Sequence, residues 1–326
     1  MRLDTHQPRL DKRQLRPGKR HLLKAATSCG LIFAALFVFA RPSAGQTKAA
    51  APQKESAPAI KSRFAMLDGQ RVHYKSYGKG ERALVFVHGW TCDMNVWQQQ
   101  LPAFAADARL VALDLPGHGQ SDKPQIKYTQ DLFARALDAV LRDAGVREAV
   151  LVGHSMGTPV IRQFYRKYPA KTLALVIVDG GLRPLGVAAD REKFFELLRG
   201  PQYQTVATGM VNAMLAPVKN AELRSTITAT MLATPKHVAI SAMDGMNAPE
   251  IFKDDKINVP VLAILARSPV WQADTEQFLR SLAPNLEYQM WEQVGHFLMV
   301  EKPHEFNQAL AAFLSKNKLL NKTKGK

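Results

Sequence analysis

From residue 63 onward, short unbroken apolar runs alternate with stretches whose apolar side chains recur every three or four positions. "RFAML" and "RVHYKSY" flank "DGQ" and predict an opening hairpin. After them come "ALVFVH" (Ala83 to His88), a helical stretch near Val96 to Ala106, "RLVALD" (Arg109 to Asp114) and a helix near Gln130 to Asp143. The run "EAVLV" (Glu148 to Val152) fits a strand, "TPVIRQFYRKYP" (Thr158 to Pro169) a helix, and "TLALVIVD" (Thr172 to Asp179) a strand buried on both faces. This β-α-β repetition predicts an α/β fold: a mostly parallel central sheet with helices on both faces.

The rhythm stops between about Leu182 and Phe252. Here "REKFFELLRG", "YQTVATGMVNAML", "AELRSTITATML" and "HVAISAMDGM" are helical patches and no strand stands out, so an all-helical cap insert is expected. The alternation returns with "VPVLAILA" (Val259 to Ala266), a helix near Asp274 to Ser281, "LEYQMW" (Leu286 to Trp291) and a last helix near Pro303 to Leu314. The expected organisation is a core at 63–181 and 253–315, a cap at 182–252, a linker at 46–62 and a basic tail at 316–326. The linker, "QTKAAAPQKESAPAIKS", is rich in Ala, Pro and Lys and has no apolar period.

Charge changes this picture only at the ends. The net charge is +16, but residues 1–45 hold nine Lys or Arg against two Asp, and residues 316–326 hold five Lys and no acid. The body keeps only +4. A basic face for nucleic acid is therefore not expected. At the start, "RQLRPGKRHLLK" precedes an apolar run of 16 residues, Ala25 to Ala40, and then "RPSAGQ". That is the order of a secretory signal peptide with cleavage after Ala44 or Gly45, and the run is shorter than the ~20 residues that cross a bilayer. The expectation is an exported, periplasmic or secreted protein, with an uncleaved membrane anchor as the alternative. Once cleaved, the chain keeps only Cys92, so no intramolecular disulfide can form.

Candidate chemistry concentrates in "LVGHSMGTP", residues 151–159. Ser155 stands at a strand-to-helix corner with Gly153 and Gly157 two places to either side. So tight a turn brings backbones together where a Cβ would clash, and it lifts the hydroxyl clear of the sheet beside the first amides of the helix. A serine that merely caps the helix would also fit the pattern. A serine hydroxyl needs a base to take its proton, and histidine titrates in the right range. Of nine histidines, His6 and His21 lie in the targeting segment, His73 in an early strand, His237 in the cap and His304 at a helix start.

Four motifs in order, "HGW" (His88 to Trp90), "DLPGHGQSDKP" (Asp114 to Pro124), "GHSMG" around Ser155 and "VGHFLMVEKP" (Val294 to Pro303), make the chain from about Arg63 to Leu314 resemble an α/β-hydrolase. The resemblance implies Ser155 as nucleophile, His296 as base, and an oxyanion hole formed by the backbone N–H groups of Trp90 and Met156. It assigns His88 and His118 to loops that shape the site, and makes His154 the variable residue of the elbow. Relatives usually carry the triad acid after the seventh strand, where this chain reads "ARSPVWQAD", with Arg267, Ser268 and Pro269 at the expected place. Asp274 follows but precedes "TEQFLRSL" as a helix N-cap would. Some members place the acid after the sixth strand, which here is Asp179 in "VIVDGGLRP". Asp179 is favoured, and Asp274 remains the alternative.

Dehalogenases and epoxide hydrolases of this fold attack with Asp, so Ser155 points instead to an ester, thioester, lactone or activated carbonyl. Met210, Met214, Met231, Met243 and Met246, with Phe194, Phe195 and Leu215, suggest an adaptable apolar pocket under the cap, or else simply hold cap to core. The expected partner is a small-molecule substrate. Nothing implies a cofactor or metal. The competing functions are a cofactor-free perhydrolase or haloperoxidase-like enzyme, and a ligand-binding protein on a hydrolase scaffold.

Overall fold

Eight strands form one sheet in the order β1-β2-β4-β3-β5-β6-β7-β8. The computed structural model describes residues 61–184 and 188–320; the expected signal peptide and most of the expected linker lie outside the described residues, as does the end of the basic tail. β1 (Lys61–Leu67) and β2 (Gln70–Tyr77) are the antiparallel hairpin, closed by Asp68 and Gly69 at φ 49° and 80°. Two positive-φ residues in a two-residue loop match the right-handed twist of the paired strands. β1 begins two residues before the expected start of the core. β2 pairs antiparallel with β4 (Leu110–Leu113), and every later pairing is parallel, through β3 (Arg82–Val87), β5 (Glu148–His154), β6 (Thr172–Val178), β7 (Val261–Ala266) and β8 (Leu286–Trp291).

All residues of β4 and β7 are buried, and all of β5 but its first, which is why these strands read as continuous apolar runs. β8, at the sheet edge, is only half-buried along most of its length. Helices cover both faces. The expected helix from Val96 to Ala106 is instead a 3-10 turn at Met94–Trp97 followed by a single turn, α1 (Leu101–Phe104). Pro102 supplies no N–H and is confined to a first helical turn, so the two pieces stay separate. α2 (Gln130–Ala144) starts at a Thr129 cap and ends on Gly145 at φ 70°. α3 (Gly157–Lys167) packs against α2.

Between β6 and β7 the chain forms α4 (Ala188–Arg199), α5 (Tyr203–Leu215), α6 (Ala221–Ala233) and α7 (Lys236–Met246), with no strand among the described residues there. α8 (Thr275–Leu282) joins β7 to β8, and α9 (Leu298–Glu301) and α10 (Pro303–Lys316) end the core. Because β4 lies on one side of β3 and β5 on the other, the strand order reverses at β3. Loops leaving the carboxyl ends of β3, β5 and β6 therefore diverge around a crevice, the usual site for a ligand in a doubly wound sheet.

Candidate active site

Ser155 follows the last residue of β5 and has φ 51°, a backbone conformation that non-glycine residues rarely adopt. Both flanking glycines are required. A Cβ on Gly153 would lie 2.5 Å from the Gly157 carbonyl oxygen, and one on Gly157 would lie 2.5 Å from the Val87 carbonyl oxygen. The corner is held because the Ser155 N–H donates to Val178 O at 2.9 Å, extending the β5–β6 ladder by one residue.

Asp179 leaves the end of β6 in the same way, with φ 44° and its N–H donating to Ile264 O at 2.9 Å. Its carboxylate is buried. One oxygen accepts from Ala266 N–H at 2.8 Å, and the other accepts from His296 Nδ1 at 2.7 Å. A proton on Nδ1 leaves Nε2 as the lone-pair nitrogen of the neutral ring, the form a base toward a hydroxyl requires. The Ser155 hydroxyl makes no hydrogen bond to protein among the described residues, and such catalytic contacts commonly tighten only when a reactant is bound.

Asp274 lies elsewhere. It is the residue before α8, but its side chain makes no capping bond. It pairs with Arg183, whose Nη1 donates to Asp274 Oδ2 at 3.0 Å, and the guanidinium holds this carboxyl below the usual range. The capping expectation is thus replaced by an ion pair.

Trp90 and Met156 are both buried, and neither backbone N–H donates to a protein acceptor among the described residues. Buried amides are nearly always paired, so two unpaired ones in the loops beside Ser155 suit an acceptor that arrives with a ligand. The Trp90 indole has its own role, donating to Ala239 O at 2.7 Å and fastening the "HGW" loop to α7. His88 shapes that loop: its Nε2 accepts from Leu115 N–H at 3.0 Å, so Nδ1 carries the proton and donates to Gly89 O at 2.8 Å. Burial lowers its pKa and that of His118, the latter to about 3, so both rings stay neutral.

Sequence reasoning missed Glu301, in the "VEKP" run of the last motif. Its two carboxylate oxygens accept from Gly295 N–H at 3.0 and 2.9 Å, holding the loop that carries His296, and burial raises its pKa. A second Ser-His-Asp chain also exists: Ser62 Oγ lies 2.8 Å from His73 Nε2, and His73 Nδ1 lies 2.8 Å from Asp114 Oδ2. Here the acid also takes the amides of Met94 and Gln120, and Ser62 sits in β1, paired in register with Lys75 of β2. It is at neither a corner nor a helix start, so no row of free amides faces its hydroxyl. This array cross-links strands.

Ser155, His296 and Asp179 open into a cavity of about 620 Å³. All five cap methionines named from the sequence line it, whereas Phe194, Phe195 and Leu215 do not. Phe195 and Leu215 belong to the core cluster and Phe194 packs against it, and the methionines pack into or against the same cluster as well. Two cations reach the wall, Arg183 and Arg267, and each is already matched, Arg183 by Asp274 and Arg267 by Glu292 at 2.9 Å. Among the described residues no cluster of His, Cys, Asp or Glu could hold a metal ion, and no helix is long and apolar enough to cross a membrane.

A parallel-sheet core with a serine on a strained strand-to-helix corner, a histidine–carboxylate pair beside it and a helical cap defines an α/β enzyme class. Comparison agrees: the family profile described as "alpha/beta hydrolase fold" matches residues 82–303. The chain is 31% identical over 262 residues to a 2-hydroxy-6-oxononadienedioate/2-hydroxy-6-oxononatrienedioate hydrolase of Paraburkholderia phymatum, covering 75% of this chain and 91% of that one. It is 34% identical to a non-heme chloroperoxidase of Kitasatospora aureofaciens over 125 residues, 38% of this chain and 45% of the relative. A solved structure described as an N-acyl homoserine lactone degrading enzyme superposes with TM-score 0.65 and 25% identity, over 77% of this chain and all of the other. The chain belongs to the α/β-hydrolase family and is an α/β-fold hydrolase.

Proposed function

We propose that this protein is an exported serine hydrolase that cleaves a small or medium apolar ester, thioester or lactone through an acyl-enzyme. The observation that carries the reading is the 2.7 Å His296–Asp179 bond beside the Ser155 corner, at the floor of a methionine-walled cavity. Ser155 Oγ attacks the acyl carbon while His296 Nε2 takes its proton. Asp179 stabilises the imidazolium so formed, and the amides of Trp90 and Met156 receive the negative oxygen. The imidazolium then protonates the departing alcohol, thiol or ring oxygen, and water repeats the sequence on the acyl-serine.

The cavity's make-up selects among the relatives' chemistries. The hydrolase relative is named for a dicarboxylate, but here both wall arginines are matched by Asp274 and Glu292, so a neutral, apolar acyl group fits better. Haloperoxidase relatives suggest peracid chemistry as a second reading. Five methionines in the lining of the same cavity argue against it, because a peracid released there would transfer oxygen to a thioether it met and give sulfoxide. The scaffold-only reading drew on a missing acid, and the carboxylate on His296 Nδ1 removes that motive.

A fluorophosphonate probe should label the wild-type protein, and a panel of p-nitrophenyl esters of rising chain length should show turnover peaking at a short or medium acyl group. Absence of both labelling and turnover would sink the proposal. Export rests on the basic region, apolar run and small residues of positions 1–45. Terminal sequencing of protein from the native host should begin near Gln46; a start upstream of Cys29 would overturn it.

A further inference from the structure

His154, which the motif treats as a variable position, occupies an unusual place. Its ring is fully buried, and Nε2 lies 2.8 Å from the backbone carbonyl oxygen of His296, 142 residues away. A carbonyl only accepts, so Nε2 carries the proton and donates. The same ring lies against the His296 ring, with centroids 4.7 Å apart, and against Phe297 at 5.0 Å. Its other nitrogen, Nδ1, is buried with no hydrogen-bond partner and faces the backbone of Gly89, where an added Cβ would come within 3.0 Å of it. A buried nitrogen without a partner is destabilising, and an apolar ring would fill this space without that cost. The arrangement is explained if the Nε2–H is needed.

We propose that His154 is a positioning residue for the base: through its hydrogen bond to the His296 carbonyl it fixes the distance between His296 and Ser155. The proposal rests on the reading of Ser155 and His296 as nucleophile and base. The geometry is direct. His154 is the last residue of β5 and is bonded covalently to Ser155, so whatever the ring holds is held relative to the nucleophile. The His296 loop is otherwise fixed by Glu301 on Gly295 N–H and by Asp179 on the imidazole, both reaching it from elements other than β5. His154 alone among these three ties the base to the strand that carries the nucleophile. Burial, and repulsion from charge on His296, keep the His154 ring neutral, so it remains a single-proton donor when His296 becomes an imidazolium.

The test compares His154→Gln, whose amide N–H can reach the same carbonyl, with His154→Phe and the smaller His154→Leu, which have no donor. A displacement of about 1 Å at a reacting group costs on the order of 10²-fold in rate. The Phe and Leu variants should therefore lose about that much in kcat on a p-nitrophenyl ester with KM changed less than about threefold, while Gln returns to within about tenfold of wild type. A readout independent of turnover is the NMR signal of the His296 Nδ1 proton shared with Asp179. It should be sharp in wild type and His154→Gln and exchange-broadened in the apolar variants. If wild type neither hydrolyses esters nor takes the fluorophosphonate, the functional reading fails and the NMR comparison still decides the positioning role. An apolar variant that keeps both kcat and a sharp proton would overturn the proposal, as would Gln and Phe variants equally impaired, or a loss confined to KM.

Discussion

Asp179→Asn should lower kcat on any ester this protein cleaves by about four orders of magnitude. Asp179 Oδ1 accepts from Ala266 N–H and Oδ2 from His296 Nδ1–H. Asparagine has one oxygen for these two donors. If the oxygen stays on Ala266, the amide NH₂ faces Nδ1, and His296 must move its proton to Nε2, where it cannot take one from Ser155. If the oxygen turns to His296, two N–H donors meet at Ala266 in a residue only 7% exposed, at a cost of about 1–3 kcal/mol. A neutral imidazole changes tautomer more cheaply than that, so the unproductive arrangement wins. Loss of tautomer control in a Ser-His-Asp site is worth ~10⁴ in kcat, or about 5.4 kcal/mol at 1.36 kcal/mol per decade. The assay is kcat and KM on p-nitrophenyl butyrate beside the rate of fluorophosphonate labelling, with thermal unfolding as the control for folding. Asp274→Asn, which leaves the His296–Asp179 pair intact and breaks an ion pair whose carboxylate is 58% exposed, should change turnover of this neutral ester less than about twofold. Turnover of Asp179→Asn within tenfold of wild type, or an equal loss in Asp274→Asn, would refute the reasoning.

Ser155→Ala should remove hydrolysis by on the order of 10³-fold or more and abolish fluorophosphonate labelling entirely, because the Ser62–His73–Asp114 chain has no corner and no free amides; residual labelling at Ser62 would show that reading wrong. Gly157→Ala places a Cβ 2.5 Å from Val87 O and 2.9 Å from His88 O, so denaturant unfolding should show a loss of at least about 1–3 kcal/mol, and an unchanged midpoint would count against the close approach. His118 has its pKa lowered to about 3, and His88 and His154 are lowered in the same direction, all chiefly by burial. An unfolded histidine binds a proton below about pH 6.5 while folded His118 does not until about pH 3, so its contribution to stability is complete above pH 6.5 and falls as pH drops toward 3, by about 1.4 kcal/mol per pH unit, with His88 and His154 acting in the same direction. Urea unfolding at pH 7.5 and 5.5 should show this fall, and His118→Gln should make it shallower.

Much of the site was legible because local patterns encode local constraints. Two glycines around Ser155 announced a corner that only glycine permits, and the structure shows the backbone oxygens they avoid. The sequence points to Asp179 by a vacancy, since Arg267, Ser268 and Pro269 stand where an acid is usual, and the structure places its carboxylate on His296 Nδ1. What escaped the sequence depends on contacts between distant segments. Asp274 reads as a cap from its position, yet its carboxylate answers Arg183, 91 residues earlier in the chain. Glu301 looks like one charge among several until Gly295 N–H is seen between its oxygens. Phe194 and Leu215 have the same apolar pattern as Met210 and Met214, and only the cap's packing decides which of them face the cavity. The break in the helix after Val96 is by contrast a local effect, since Pro102 marks it in the sequence itself.

Two of the six described non-glycine residues with positive φ stand at the proposed catalytic centre. Ser155 and Asp179 both follow directly on a strand and both have positive φ, at a cost on the order of 1–3 kcal/mol each. Each also donates its N–H one position past its strand, to the neighbour on the same side: Ser155 to Val178 O of β6, Asp179 to Ile264 O of β7. Adjacent parallel strands thus end in matching corners, and the register of the sheet sets the offset between Ser155 and Asp179. On the proposed assignment, an acid at the end of β6 instead of β7 stands on the strand next to the nucleophile and leaves the β7 loop for another use. That loop now lends Arg267, Ser268, Val270 and Trp271 to the cavity wall, with Trp271 steadied by its indole N–H on Ala266 O at 2.9 Å. The same assignment makes this loop part of the substrate wall, where a chain with its acid after β7 would commit the loop to holding the base.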